Sequence, residues 1–221
     1  EMLAHVPLFA HPNPEKILVI GGGDGGILRE AGRHDCIRQI DYCEIDEKVI
    51  RVCKEFFPGM ACGFDDPRVH VFIEDGVTFI KERAGQYDVI IVDSSDPIGP
   101  AVELFEKPFY ESLKAGLRSG GIVASQGESM FYDTDTIAGM AGIVGELFEK
   151  SAYASIMVPT YPGGQIGICM GSMGPEPSRP NRPVDSVILD QLKYYTPDVH
   201  EAAFVLPRFV KDLLETGSTR A

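Results

Sequence analysis

Five carboxylates in this chain each stand at or just past the end of a short apolar run. Asp24 lies in the turn after Ile17–Ile20, Glu44 falls within the run Gln39–Ile45, and Asp75 follows Val69–Ile73. Asp93 and Asp96 follow Tyr87–Val92. If the runs are neighbouring strands of a parallel sheet, their carboxyl ends share one edge, and ligands of open α/β sheets bind beyond that edge. Singly, each acid has an ordinary explanation. Asp24 could cap a helix, Glu44 could be solvated, Asp93 could cap a loop, and Asp75–Gly76 and Asp96–Pro97 could be turns. Together they concentrate negative charge at one place. Glu44 stands about 20 residues past the turn, where an acid accepts hydrogen bonds from ribose hydroxyls. Asp75–Gly76 is placed to meet an adenine edge. Asp24, Asp93 and Asp96 then surround whatever lies beyond the nucleoside. Such a pocket suits a sulfonium and a polyamine, both cationic, and suits the phosphates of NAD or ATP poorly.

The elements that must position these acids start from Ile17–Glu30, ILVIGGGDGGILRE, read as a buried strand, a glycine turn and a helix start. Gly21, Gly23 and Gly26 fit dinucleotide spacing, but a carboxylate at Asp24 would repel a pyrophosphate. Further strands are expected at 39–45, 69–73, 87–92 and 120–125, with helices at 46–57, 77–83, 107–117 and 136–150. Residues 1–11 are apolar and fit either a strand or a short helix. Two last strands, 152–158 and 165–171, are joined by a short loop and are therefore expected to be antiparallel to each other. The pattern predicts an α/β class I methyltransferase-like fold: a mostly parallel seven-stranded sheet with a C-terminal antiparallel hairpin. Residues 1–173 form the catalytic domain in this reading. Residues 174–221 form a proline-rich linker and a helical tail, near Arg208–Glu215, docked on the sheet.

Lys and Arg number 20 against 33 Asp and Glu, a formal charge of −13, which argues against nucleic acid and anionic membranes as partners. Cys36, Cys43, Cys53, Cys62 and Cys169 have no metal-ligand spacing and read as reduced thiols of a cytoplasmic protein. No signal peptide or membrane-length apolar run is present. The start at Glu1, without Met, reads as a trimmed chain.

Five motifs in order, GGGDGGxLRE at 21–30, CEID at 43–46, EDG at 74–76, DSSDPxGPA at 93–101 and PTYPxGQIG at 159–167, resemble the spermidine synthases, or polyamine aminopropyltransferases. The resemblance covers nearly the whole chain to about Gly171. It implies transfer of the aminopropyl group of decarboxylated S-adenosylmethionine to putrescine, in a homodimer, with no metal. By position, Asp93 resembles the general base, and Asp24, Asp96, Tyr161 and Gln126 resemble putrescine contacts. Gly21, Gly23, Asp24, Glu44, Ile45, Asp75, Gly76, Asp93 and Pro100 resemble contacts to decarboxylated S-adenosylmethionine. Asp24 and Asp96 are expected to raise the Asp93 pKa by like-charge repulsion. The family's Tyr-Gln-Glu-Met motif would begin before Glu1-Met2, so its Tyr, its Gln and a small N-terminal β-domain are missing from this chain, and with them family contacts to both substrates and to a partner subunit; their loss puts the activity of this chain by itself in question. Putrescine N-methyltransferase shares most of these motifs and is the alternative, as is a non-catalytic homologue or regulatory subunit.

Overall fold

The computed structural model describes residues 1–216, the Pro100 side chain excepted. Its frame is a seven-stranded sheet. The strands are β1 (Lys16–Gly21), β2 (Gln39–Glu44), β3 (Val69–Ile73), β4 (Tyr87–Asp93), β5 (Leu117–Gln126), β6 (Lys150–Met157) and β7 (Gln165–Ser172). Their order is β3-β2-β1-β4-β5-β7-β6. All neighbouring pairs from β3 to β5 are parallel, and β7 runs antiparallel to both β5 and β6. The expected hairpin is therefore present, with its second strand inserted beside β5 and β6 left at the edge.

Strand alternation decides which side chains face which layer. Ile17 and Val19 of β1, with Val89 and Ile91 of β4, face one layer; Leu18, Ile20, Ile90 and Val92 face the other. The first layer holds α1 (Met2–Ala10), α2 (Gly26–Ala31), α3 (Glu47–Phe56) and the one-turn α4 (Pro58–Ala61). The second holds α5 (Gly76–Lys81), α6 (Lys107–Gly116) and α7 (Thr134–Leu147). The ambiguous N-terminal segment is a helix, α1, with all residues buried except Leu3. An element buried all round shows neither a polar face nor a period, which explains the ambiguity. Among the described residues, no helix is long and apolar enough to cross a membrane.

The stretch read as a linker is a strap on α1. Asn181 donates its backbone N–H to the Phe9 carbonyl and its side-chain amide to the Ala10 carbonyl (2.9 and 2.7 Å), and Arg182 donates to the Leu8 carbonyl. Beyond it come α8 (Ser186–Leu189), α9 (Pro197–Ala202) and α10 (Arg208–Thr216). Ile188, Tyr195 and Ala203 pack with α1 over β5, β6 and β7. The tail helix expected on the sheet lies instead mainly against α7, where Val210 and Leu213 join Ile137 and Tyr153. All five cysteines are free, with Cys43 and Cys169 buried and Cys62 exposed.

Candidate active site

β1 has β2 on one side and β4 on the other, so the chain order reverses there and the strand ends diverge into a crevice. Gly21, the last residue of β1, pairs in register with Asp93, the last of β4. The Gly22 N–H donates to the Asp93 carbonyl at 2.8 Å. Gly21 has φ +77° and Gly22 has φ +67°, and a Cβ at Gly21 would lie 2.3 Å from the Asp93 carbonyl oxygen. Glycine is thus required for β1 to turn while lying flat against the end of β4. At Gly23 a Cβ would meet Val49 at 2.3 Å and the Glu44 carboxylate at 3.3 Å, so its absence keeps the crevice open toward β2.

Three of the predicted acids spend one oxygen on local structure. Asp24 Oδ1 accepts the Gly26 N–H at the start of α2 (2.7 Å), Glu44 Oε1 accepts the Asp46 N–H (3.0 Å), and Asp75 Oδ1 accepts the Thr78 N–H as the cap of α5 (2.8 Å). The ordinary explanation holds in kind for Asp24 at its helix start; Asp75 caps a helix rather than making a simple turn, and Glu44 is buried rather than solvated. In each the second oxygen is left available to a ligand. Asp93 has no such side-chain bond among the described residues.

Two cavities meet at these acids. The larger, about 590 Å³, is lined by Gly21, Gly23, Glu44, Ile45, Asp75 and Gly76, with Ile98, Ala101 and Leu104 from the segment after β4. The smaller, about 480 Å³, opens between α1, the start of α2 and the β6–β7 hairpin, and includes Gln126. Asp24, Asp93 and Tyr161 line both. Asp96 is exposed and lines neither, though its charge contributes to raising the pKa values of Tyr161 and Glu128. Pro100, expected at the adenine, has its side chain outside the described residues.

Burial, with the charge of Asp24 second, pushes the Asp93 carboxyl up to about 6. The expected direction holds with a different leading cause: desolvation of the strand end outweighs like-charge repulsion, and exposed Asp96 has no part in it. Tyr161 is also raised, by burial first and then by Asp93.

Glu128 was not among the expected residues. It lies two positions past β5, which is the rule that marked the other acids and could have marked this one. Its φ is +56°, an uncommon backbone for a residue with a side chain, and it is 7% exposed. Its carbonyl accepts the Gly167 N–H and the Tyr153 hydroxyl (2.7 and 2.9 Å), which hold the loop in that shape. Glu128 Oε1 and Gln126 Oε1 are buried with no hydrogen-bond partner among the described residues. Buried polar atoms are nearly always paired, so the unpaired Gln126 oxygen in the wall of the smaller cavity marks a place where a polar ligand would bind, with the Glu128 oxygen two residues on. Burial raises the Glu128 pKa, Asp96 and Asp133 add to it, and Gln126 acts the other way.

Sequence and fold are shared with known proteins. A model of the spermine/spermidine synthase domain matches residues 1–179. The chain belongs to the spermine/spermidine synthase family. A spermidine synthase of Dictyostelium discoideum is 49% identical over 209 residues, covering 95% of this chain and 74% of that protein. Spermidine synthase 2 of Datura stramonium is 50% identical over 225 residues, covering 98% of this chain and 71% of that one. A solved spermidine synthase in complex with the transition-state analogue AdoDATO aligns with TM-score 0.89 and 36% identity, over 97% of this chain and 74% of its own. That of Thermotoga maritima aligns with TM-score 0.86 at 36% identity, over 97% and 73%. Similarity to the spermidine synthases therefore extends over nearly all of this chain, through the strap and tail, and the methyltransferase-like α/β fold expected from the sequence is the one they share.

Proposed function

We propose that the chain transfers the aminopropyl group of decarboxylated S-adenosylmethionine to putrescine, yielding spermidine and methylthioadenosine. One observation carries the reading: two separate cavities share Asp24, Asp93 and Tyr161, so two substrates can meet end to end at a carboxylate with a raised pKa. The larger cavity takes the nucleoside. There the free oxygen of Glu44 accepts from the ribose, and Asp75–Gly76 and Ile45 border the base. The smaller cavity takes the diamine, with Asp24, Tyr161 and Gln126 around it and the Asp96 charge at the rim. Ordinary S-adenosylmethionine would bring an α-carboxylate into this acidic junction, and repulsion there favours the decarboxylated, wholly cationic donor.

In the reaction the amine nitrogen attacks the propyl carbon next to the sulfonium. The C–S bond breaks and its electron pair goes to sulfur, which leaves as a neutral thioether needing no acid. The amine must first lose a proton from a group with pKa near ~10. Against a carboxylate at ~4 that transfer is uphill by about six pH units. Raising Asp93 to about 6 removes about two of them, or ~3 kcal/mol. Alignment of amine and sulfonium across the shared wall supplies the proximity term. We carry the same reading to a homodimer acting in the cytoplasm; family membership supports the first, and five free thiols suit a reducing compartment.

The test is to supply putrescine with either decarboxylated or ordinary S-adenosylmethionine and identify products by mass. Spermidine from the decarboxylated donor alone is expected. A methylated putrescine from the ordinary donor would overturn the reading in favour of N-methyl transfer.

A further inference from the structure

The smaller cavity, at about 480 Å³, is within the range that holds drug-sized ligands, so a four-carbon diamine does not fill it. Something other than total volume must select acceptor length. At the reacting end stand Asp24, Asp93 and Tyr161, shared with the other cavity. Glu1, Met2, Leu3 and Tyr194 are among the residues that line the smaller cavity and not the larger. Met2 and Leu3 belong to α1, whereas Tyr194 comes from the C-terminal segment, 193 positions from Glu1 in sequence.

Glu1 fastens these two parts of the wall together. Its carboxylate accepts three consecutive backbone N–H groups: Lys193 at 3.0 Å on Oε1, and Tyr194 and Tyr195 at 2.8 and 2.9 Å on Oε2. Burial opposes ionisation of Glu1, yet these N–H groups hold its pKa below the usual carboxylate value. Next to Tyr194, Tyr195 is buried, donates its hydroxyl to His200 Nδ1 at 2.9 Å while His200 Nε2–H donates to the Pro177 carbonyl, and stacks on Phe9 of α1 at 5.2 Å. The backbone of Tyr194 is thus held on one side by a carboxylate and on the other by a buried ring, while its own side chain, 42% exposed, faces the cavity.

We propose that Tyr194 is the wall that sets acceptor length in the amine cavity, with Glu1 as its positioning residue. The inference rests on the aminopropyl-transfer reading and adds the selection of a short diamine over longer polyamines. An aromatic ring at that place provides an apolar stop, and its face can receive the distal ammonium.

The test is calorimetric binding of putrescine, the five-carbon diamine and spermidine, with methylthioadenosine present, to the wild-type protein and to Tyr194→Phe, Tyr194→Ala and Glu1→Ala. In Tyr194→Ala the spermidine-to-putrescine affinity ratio should rise about tenfold or more, the scale on which pocket size discriminates. Tyr194→Phe should keep the wild-type ratio, because ring and not hydroxyl is the stop. Glu1→Ala should shift the ratio in the same direction as Tyr194→Ala, which a purely structural role would not do. An unchanged ratio in Tyr194→Ala, or a Phe variant that shifts as far as Ala, overturns the proposal while leaving aminopropyl transfer intact. No binding of any amine to the wild-type protein overturns both.

Discussion

Asp93 gives up its proton only near pH 6 because ionisation leaves a charge in a desolvated strand end that faces Asp24. As a general base it must be ionised, so kcat/KM should fall on the acid side with an apparent pKa close to 6, read from a pH–rate profile of the free enzyme. The same shift has the opposite sign for stability. The ordinary value is 3.8, so between about pH 4 and pH 6 the folded state keeps a proton that the unfolded chain has released. Stability from this group is greatest below that window and declines as pH rises through it, by up to ~3 kcal/mol. Asp93→Asn should therefore stabilise the protein by about 1–3 kcal/mol at pH 8 and by little at pH 4, in urea unfolding at the two pH values. Its turnover should drop ~10²–10⁴-fold, and a loss under about tenfold would remove Asp93 from the role of base. Which residues carry charge was plain from the chain. That Asp24 and Asp75 each divide their oxygens between a helix start and the cavity was not, because the division depends on the φ and ψ of the turn.

At the scale of elements, the glycine turn works by bringing two strand ends into contact. Gly21→Ala would need both a left-handed backbone and a Cβ 2.3 Å from the Asp93 carbonyl oxygen. It should cost ~2–4 kcal/mol in chemical denaturation and move Asp93, so that turnover falls even at temperatures where the variant stays folded. A Gly85→Ala control has the same sign of φ, +65°, with nothing within 4 Å of the added Cβ, and should show only the smaller backbone penalty of ~1 kcal/mol and normal turnover. Equal effects at the two positions would refute close strand contact as the reason for the glycine. The strands were legible from period and composition to within a few residues. α1 was not, since Met2–Ala10 is apolar all round, nor was the strap at 174–183, whose prolines read the same whether the backbone is free or bonded to α1.

Across the whole molecule, α1, α2 and the strap are joined by a buried polar chain. Arg182 can only donate, so it donates to His34 Nδ1; His34 Nε2–H then donates to His5 Nδ1 at 2.9 Å, and His5 Nε2–H to Glu30 at 3.1 Å. Both histidines are wholly buried. Burial, with the neighbouring His5 and Arg182, holds His34 down to about 2, and burial lowers His5 as well. A lowered histidine contributes stability that is intact above its ordinary value of 6.5 and is lost as pH falls below it. His34 alone should remove on the order of 2 kcal/mol between pH 7.5 and pH 5. The measurement belongs in the Asp93→Asn background, since Asp93 acts in the other direction over part of that range. No loss there would mean that the pair takes up protons without unfolding. For Glu30, burial is outweighed by hydrogen bonds from His5 and Arg29, which hold it down to about 2, so its contribution persists until far lower pH.

By itself the sequence determined the alternation of strands and helices, the parallel sheet with a reversed last strand, and the rule that acids at strand ends share an edge. These follow from local periodicity and from residue chemistry that does not depend on distant neighbours. Tertiary structure alone decided which acids meet. Asp24 and Asp93 face each other because β1 and β4 pair in register at the reversal of strand order, while Asp96, three residues further on, has already left the sheet for solvent. It likewise decided that Glu128 and Gln126 keep unpaired oxygens, and that Tyr194 reaches the cavity near Glu1. Desolvation and contacts between residues far apart in sequence exist only once the chain has closed on itself.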